Sequence, residues 1–358
     1  MEMHRAPRQR RLGDALGLMT LGMAIGLGFG FADHWRTRGG EVSTADRARE
    51  AADRPTAISP RGWRKVLTRT WREFNDDRIP AVAAGATFFA LLALFPALGV
   101  FVSLYGLVAE VEDARRQVAA LRGILPEGAI SVMGEAMTRL AALPHASLST
   151  TFAVSLLISI WSSNAGVKAL ISGLNVAYEE REHRGFFRLN LVSLSFTLGA
   201  IAFSLLAAAG LGLAPATLAR FGLVLPPGAD LLRWPLLFAV VVAAVSLLYR
   251  YGPDRQHARW RWITPGGVLA AAGWMVMSLG FSLYVANFGS YDRTYGSLGA
   301  VVGFMTWIWL SLIVVLLGAE LNSELEQQTS VDTTTGAPQP PGARGAAVSD
   351  RTRRRGRA

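Results

Sequence analysis

The sequence predicts an all-α protein. The expected architecture is a polytopic membrane helix bundle of six core transmembrane helices, with an extra N-terminal membrane-associated helix left as an open addition. Three observations predict it. Of 358 residues, 51% are hydrophobic and only 17% charged, against about 25% charged in an ordinary soluble protein. The charges collect in clusters, leaving residues 79–109, 189–219, 263–291 and 294–319 with no Asp, Glu, Lys or Arg. Crossing a bilayer core takes roughly 20 apolar helical residues, and each of these runs is longer. Cysteine is absent, which excludes a disulfide framework, a thiolate nucleophile and sulfur-ligated metal.

The six spans follow in order. The first is expected over Pro80–Val108, with Pro96 tolerated inside it as membrane helices allow. The second, Leu148–Leu174, runs into the polar stretch WSSNAGVKALISGLNVAYEEREHR at 161–184. The third is Asn190–Leu211. The fourth, Trp234–Tyr249, is short and bracketed by Arg233 and Arg250, which can snorkel outward. The fifth is Thr264–Ala286 and the sixth Leu298–Ala319. Between the first two, Val111, Ala114, Val118, Leu121 and Leu125, then Ile130, Met133, Met137 and Leu140, predict two short amphipathic helices on the outer face. Ahead of the first span, Ser59 caps and Pro60 starts a basic amphipathic helix with Trp63, Leu67, Trp71 and Phe74 on its apolar side.

Charge sets the orientation, because basic residues resist translocation. Arg181, Arg184 and Arg188 follow the second span, and RYGPDRQHARWRW (250–262) carries four Arg after the fourth. The opposite loops hold only Arg293, and Arg220 with Arg233. Both ends of the six-span body are therefore expected in the cytoplasm. The net charge of +10 is explained the same way, so no nucleic-acid partner is inferred. Four segments are expected: an N-terminal Gly-rich membrane-associated helix at 1–32, a polar linker at 33–58, the membrane domain at 59–326, and a disordered basic cytoplasmic tail at 327–358. Whether 15–32 spans the membrane stays open, because a span there would leave four Arg outside.

Within the polar stretch, Asn164, Lys168, Ser172 and Asn175 recur at steps of four, four and three, which places them on one helix face. Ser155, Ser159, Ser162 and Gly166 form another face suited to close helix contact. Polar groups inside a membrane helix need partners, and an ionisable one raises the question of function. Two readings stay open: Lys168 snorkels or pairs structurally, or the stripe lines a substrate pathway. Glu320 and Asn322, at the end of the sixth span, lie at similar depth, and Lys168 is expected to pair with Glu320 or share a pocket with both. Arg78, Arg250 and Arg255 are candidates to meet lipid headgroups. Trp260 and Trp262 are expected as interface anchors. The five histidines, at 4, 34, 145, 183 and 257, match no metal-ligand spacing, and no phosphate loop or nucleophile motif is present. No catalytic residue, metal or cofactor is expected.

Several blocks occur in order: DRIPAVAAGATFFALLALFPAL, LNVAYEER, RYGPDR followed by WRWITPGG, and YDRTYGSLGAVVGFMTWIWLSLIVVLLGAELNSEL. Over residues 63–326 they resemble the YihY/virulence factor BrkB family of bacterial inner-membrane proteins. The positions matching that family's recurring residues are Asp77, Arg78, Pro96, Asn175, Tyr178, Tyr251, Gly252, Pro265, Gly266, Tyr295, Gly296, Gly299, Gly318, Glu320 and Asn322. The resemblance implies six membrane helices with cytoplasmic ends and residence in the plasma (inner) membrane. Functionally it implies serum resistance or export of lipid or lipid A precursors. An old ribonuclease BN label also attaches to the family, but this chain lacks the His and Asp cluster that metal-dependent RNA hydrolysis would need. The expected function is a transporter or a translocator of lipid or envelope precursors. The alternative is a non-transporting scaffold for envelope integrity. Membrane lipids are the expected partners, with a homo-oligomer left open.

Overall fold

A computed structural model describes residues 52–105, 130, 134, 150–220, 229–287 and 297–350. The N-terminal helix and most of the linker, the outer amphipathic pair, the 288–296 loop and the last eight residues lie outside them. Among the described residues every long element is a helix. These are α1 (Pro60–Asp76), α2 (Ile79–Tyr105), α3 (Thr150–Ala177), α4 (Phe186–Arg220), α5 (Ala229–Tyr251), α6 (Trp260–Asn287), α7 (Ser297–Gln328) and the short α8 (Ala347–Asp350).

Local chemistry accounts for the boundaries. The Ser59 hydroxyl accepts from the Gly62 N–H at 3.0 Å and Pro60 opens α1, satisfying an orphan donor of the first turn. The break between α1 and α2 rests on Arg78, whose φ of 52° lies in the left-handed region, and the two helices bend by 60° there. A side chain in that region costs about 1–2 kcal/mol, so the elbow is held by its surroundings. At the end of α3, Glu179 has φ 55°. Its N–H reaches the Val176 carbonyl at 2.9 Å, and Glu180 N–H reaches the Asn175 carbonyl at 2.8 Å. That is the Schellman arrangement, normally given to glycine.

Phe186–Phe203 in α4, Trp260–Val285 in α6 and Val301–Gln328 in α7 are long and apolar enough to cross a membrane. The bent α1–α2 pair qualifies if taken as one span, and Phe238–Tyr251 in α5 is a shorter apolar stretch. The described residues therefore carry three or four candidate spans rather than the six expected. Phe88, Leu92, Leu157, Ile158, Leu191, Val276 and Leu283 are exposed. An apolar exterior of this extent is what lipid tails accept and water does not.

Side by side, the helices run α4, α3, α2, α7, α6, α5, with α1 laid against α7. Small residues let the backbones approach, which matters where lipid removes the hydrophobic drive between helices. A Cβ on Gly266 would strike the Gly318 carbonyl and the Asn322 amide, and one on Gly318 would strike the Tyr249 hydroxyl. Gly166 meets Ala90 and Ala93 of α2, whereas Ser162 of the same predicted small-residue face is exposed. The main core joins Ile79, Ala83, Leu174, Tyr178, Tyr249, Ile263 and Leu316, all near one end of the bundle.

That end is capped by chain expected to be unstructured. The sequence predicts disorder from residue 327, but α7 continues to Gln328 and 329–350 fold against the 252–259 loop. Arg259 N–H donates to the Thr333 carbonyl at 2.9 Å, Thr335 N–H to His257 at 2.9 Å, and Gln256 N–H to Gly345 at 2.7 Å. Inside the segment Arg344 is buried and donates to the carbonyls of Ser330, Gln339 and Ser349. The Asp350 carboxylate accepts from three backbone N–H groups, those of Gly342, Arg344 and Gly345. Polar anchors replace the apolar ones whose scarcity predicts disorder.

Candidate functional site

The polar residues of the sequence reading separate into three places. At the α3–α4 contact, Asn164 is fully buried, donating to the Asn190 side chain at 3.4 Å and accepting from the Thr197 hydroxyl at 3.3 Å. Lys168, two turns from the end of α3, is half-buried. Its ammonium lies 5.3 Å from the Trp161 ring centre and 5.9 Å from that of Phe186. Ser172 is exposed. The predicted stripe thus dissolves into a helix-pairing amide, a cation among aromatic rings and a surface hydroxyl.

The second place is the turn between α3 and α4. Asn175 donates to Glu182 at 2.9 Å and accepts from the Asp254 N–H at 2.9 Å. Glu182 takes two bonds from the Arg184 guanidinium at 2.6 and 2.7 Å, and Arg184 also reaches the Gly252 carbonyl at 2.9 Å. Burial alone would raise the Glu182 pKa, but the bonds from Arg184 and Asn175 hold it below the usual carboxylate value. Glu180 is pushed up by burial, only partly relieved by the N–H of Ala347. This turn and the α5–α6 loop are therefore locked together.

The third place is the polar last stretch of α7. Glu320, Asn322, Ser323, Glu324, Glu326 and Gln328 are all buried, inside a candidate membrane span. Most are matched. Asn322 donates to the Ile263 carbonyl at 2.9 Å and to the Tyr178 hydroxyl at 3.4 Å, and accepts from Gly266 N–H at 2.8 Å. Glu324 pairs with Arg69 of α1 at 2.6 Å, and Arg69 also donates to Gln328 at 2.8 Å. Glu326 pairs with Arg255 at 2.6 Å and accepts from Thr333 at 2.7 Å, while the Arg255 guanidinium lies 4.9 Å from the Tyr178 ring centre. Burial raises the Tyr178 pKa, so its hydroxyl stays protonated and able to donate.

Among the described residues Glu320 has no arginine partner of the kind that Glu324 and Glu326 have. It is 2% exposed and its Oε1 makes no hydrogen bond. The charged groups acting on it are the carboxyls of Asp77, Glu324 and Glu73. Among the described residues no group of three or more His, Asp or Glu is placed to hold a metal ion.

Three expectations are corrected. Lys168 and Glu320 do not meet: the first faces α4 and the second the α1–α2 elbow. Arg255 is not offered to headgroups, because its side chain is 2% exposed and bound to Glu326. Trp262 is no interface anchor but fully buried among Val66, Leu321 and Leu325. Arg78 is exposed. Arg250 lies over the half-exposed Trp260 at 4.7 Å and donates to the Ala258 carbonyl. Sequence reasoning missed Glu182, Arg184, Glu326 and Thr333. The contacts of Arg184 with Gly252 and of Glu326 with Arg255 join residues far apart in the chain, and no local spacing signals them.

Comparison with known proteins places the chain among bacterial membrane proteins. It is 29% identical over 257 residues to the ribonuclease-like protein YfkH of Bacillus subtilis, an alignment covering 69% of this chain and 90% of that one. It is 29% identical over 266 residues to a UPF0761 membrane protein of Tolumonas auensis, covering 71% and 83%. A UPF0761 membrane protein of Xanthomonas campestris is 32% identical over 264 residues, covering 71% of this chain and 59% of its own length. No solved structure matches. Residues 70–343, which take in every helix from the end of α1 through α7 and most of the capping segment, match the virulence factor BrkB family, and the chain belongs to it.

Proposed function

We propose that the chain is a six-span inner-membrane translocator of a lipid or envelope precursor, with the buried polar end of α7 as the moving part. The observation that carries this reading is Glu320. A carboxyl group inside an apolar span, with one oxygen unpaired, is costly to maintain by packing alone. Glu324 and Glu326 each have an arginine partner, so ion pairing explains them without explaining Glu320. The 60° elbow at Arg78 lies beside it and gives α1 and α2 a place to bend. No enzymatic step is part of the reading. The ribonuclease-like name belongs to a relative, and the described residues offer no donor set for metal-assisted hydrolysis.

The competing reading is a scaffold, supported by the thoroughness with which Asn175 and Asn322 are satisfied. Glu320→Gln in full-length protein, reconstituted into vesicles with fluorescent phospholipid or a lipid A precursor, separates the two. A translocator loses most of its lipid movement, by about tenfold or more, at unchanged abundance and melting temperature. If wild-type protein moves neither probe, or if the variant loses abundance while its remaining molecules stay active, the translocator reading fails.

A further inference from the structure

The surface of the α3–α4 pair carries a feature that translocation does not explain and that stands whether or not cargo moves. Lys168 has no carboxylate partner among the described residues. Its ammonium is held instead against Trp161 and Phe186. The two rings lie 6.3 Å apart, and Phe187 meets Phe186 edge-on at 5.6 Å. All three rings face outward, Phe187 being 86% exposed, beside the exposed Val154, Leu157 and Ile158 of α3 and Leu191 of α4. Behind them the Asn164–Asn190–Thr197 contacts hold the two helices together.

The geometry points to a binding site for the phosphate of an anionic phospholipid, with Lys168 as its counter-ion and the α3–α4 wall as the bed for its acyl chain. Charge complementarity selects this occupant. An unpaired ammonium in an apolar wall loses water without gaining an anion, and two aromatic faces recover only part of that loss. A lipid phosphate arrives on an apolar tail, so one molecule satisfies both the cation and the exposed wall. A protein helix would cover the wall and leave the charge unmet. Phe186 opens α4 directly after the basic loop, and Arg188 follows in its first turn, exposed. Lys168 therefore lies near the basic end of the helix pair, where headgroups gather.

The test uses full-length protein in phosphatidylcholine nanodiscs containing phosphatidylglycerol with a photoactivatable acyl chain. Crosslinks are mapped by peptide mass. Wild type is expected to label peptides of α3 and the start of α4. Lys168→Met should cut that labelling about tenfold, while Lys168→Arg keeps it. Equal labelling of wild type and Lys168→Met overturns the site. If the Met variant does not accumulate, wild type alone decides, because equal labelling by phosphatidylcholine bearing the same chain also overturns it. Inorganic phosphate added as competitor is expected to leave the crosslinks unchanged. Their loss would assign the ammonium to a free anion and overturn the lipid assignment.

Discussion

His257 shows how one residue can couple the capped end to pH. Its ring packs 4.8 Å from that of Tyr251. Burial holds its pKa below the ordinary histidine value, and Arg250, Arg255 and Arg188 act in the same direction. A depressed histidine binds fewer protons folded than unfolded, so its contribution is intact above the unfolded pKa of about 6.5 and is lost as pH falls toward the folded value. The melting temperature of purified protein should therefore drop between about pH 7 and pH 5, and His257→Gln should flatten that drop. A slope unchanged by the substitution would discard the idea. Glu182 has the same sign at lower pH, since Arg184 and Asn175 hold it ionised below the usual carboxylate range. None of this is legible in the sequence. Arg255 looks like a surface cation in a basic loop, and only the fold brings it to Glu326, 71 residues on.

At the scale of elements, the α6–α7 seam is a close backbone approach built on Gly266 and Gly318. Pro265 lies in the first turns of α6, where it contributes no backbone donor. The Asn322 side chain spans this point, taking the Gly266 N–H and meeting the Ile263 carbonyl. Asn322→Leu would remove both bonds and force a branched chain against Gly266. The expected cost is about 3 kcal/mol of stability, read by chemical unfolding in detergent micelles. A loss under about 1 kcal/mol would mean that the seam does not depend on the amide. Helix existence was well signalled by apolar runs, but helix length was not. The sixth span was expected to end at Ala319, whereas α7 runs nine residues further to Gln328. Periodicity registers only the lipid-facing part of a helix, and the extension is held by Arg69, Arg255 and Thr333, which come from elsewhere in the chain.

For the molecule as a whole, the proposed orientation puts the capped end in the cytoplasm, because Arg181, Arg184, Arg188, Arg250, Arg255, Arg259 and Arg261 all gather there. Reporter domains inserted after Glu182 or Arg259 are expected to be active only on the cytoplasmic side. Periplasmic activity at either position would reverse the assignment and remove Lys168 from the inner leaflet. Family membership and the helical class could be read from sequence blocks, while the folded 329–350 segment could not. Its anchors are the hydrogen bonds donated by Arg344 and accepted by Asp332 and Asp350, residues that composition reads as polar tail. That segment has a consequence for biosynthesis. Chains emerge from the ribosome N-terminus first, so the earlier helices insert while Arg259 still lacks Thr333 and Gln256 still lacks Gly345. Until the stretch through Asp350 has been translated, nascent protein leaves this end of the bundle uncovered, and this is the interval in which chaperones or quality-control proteases can reach it.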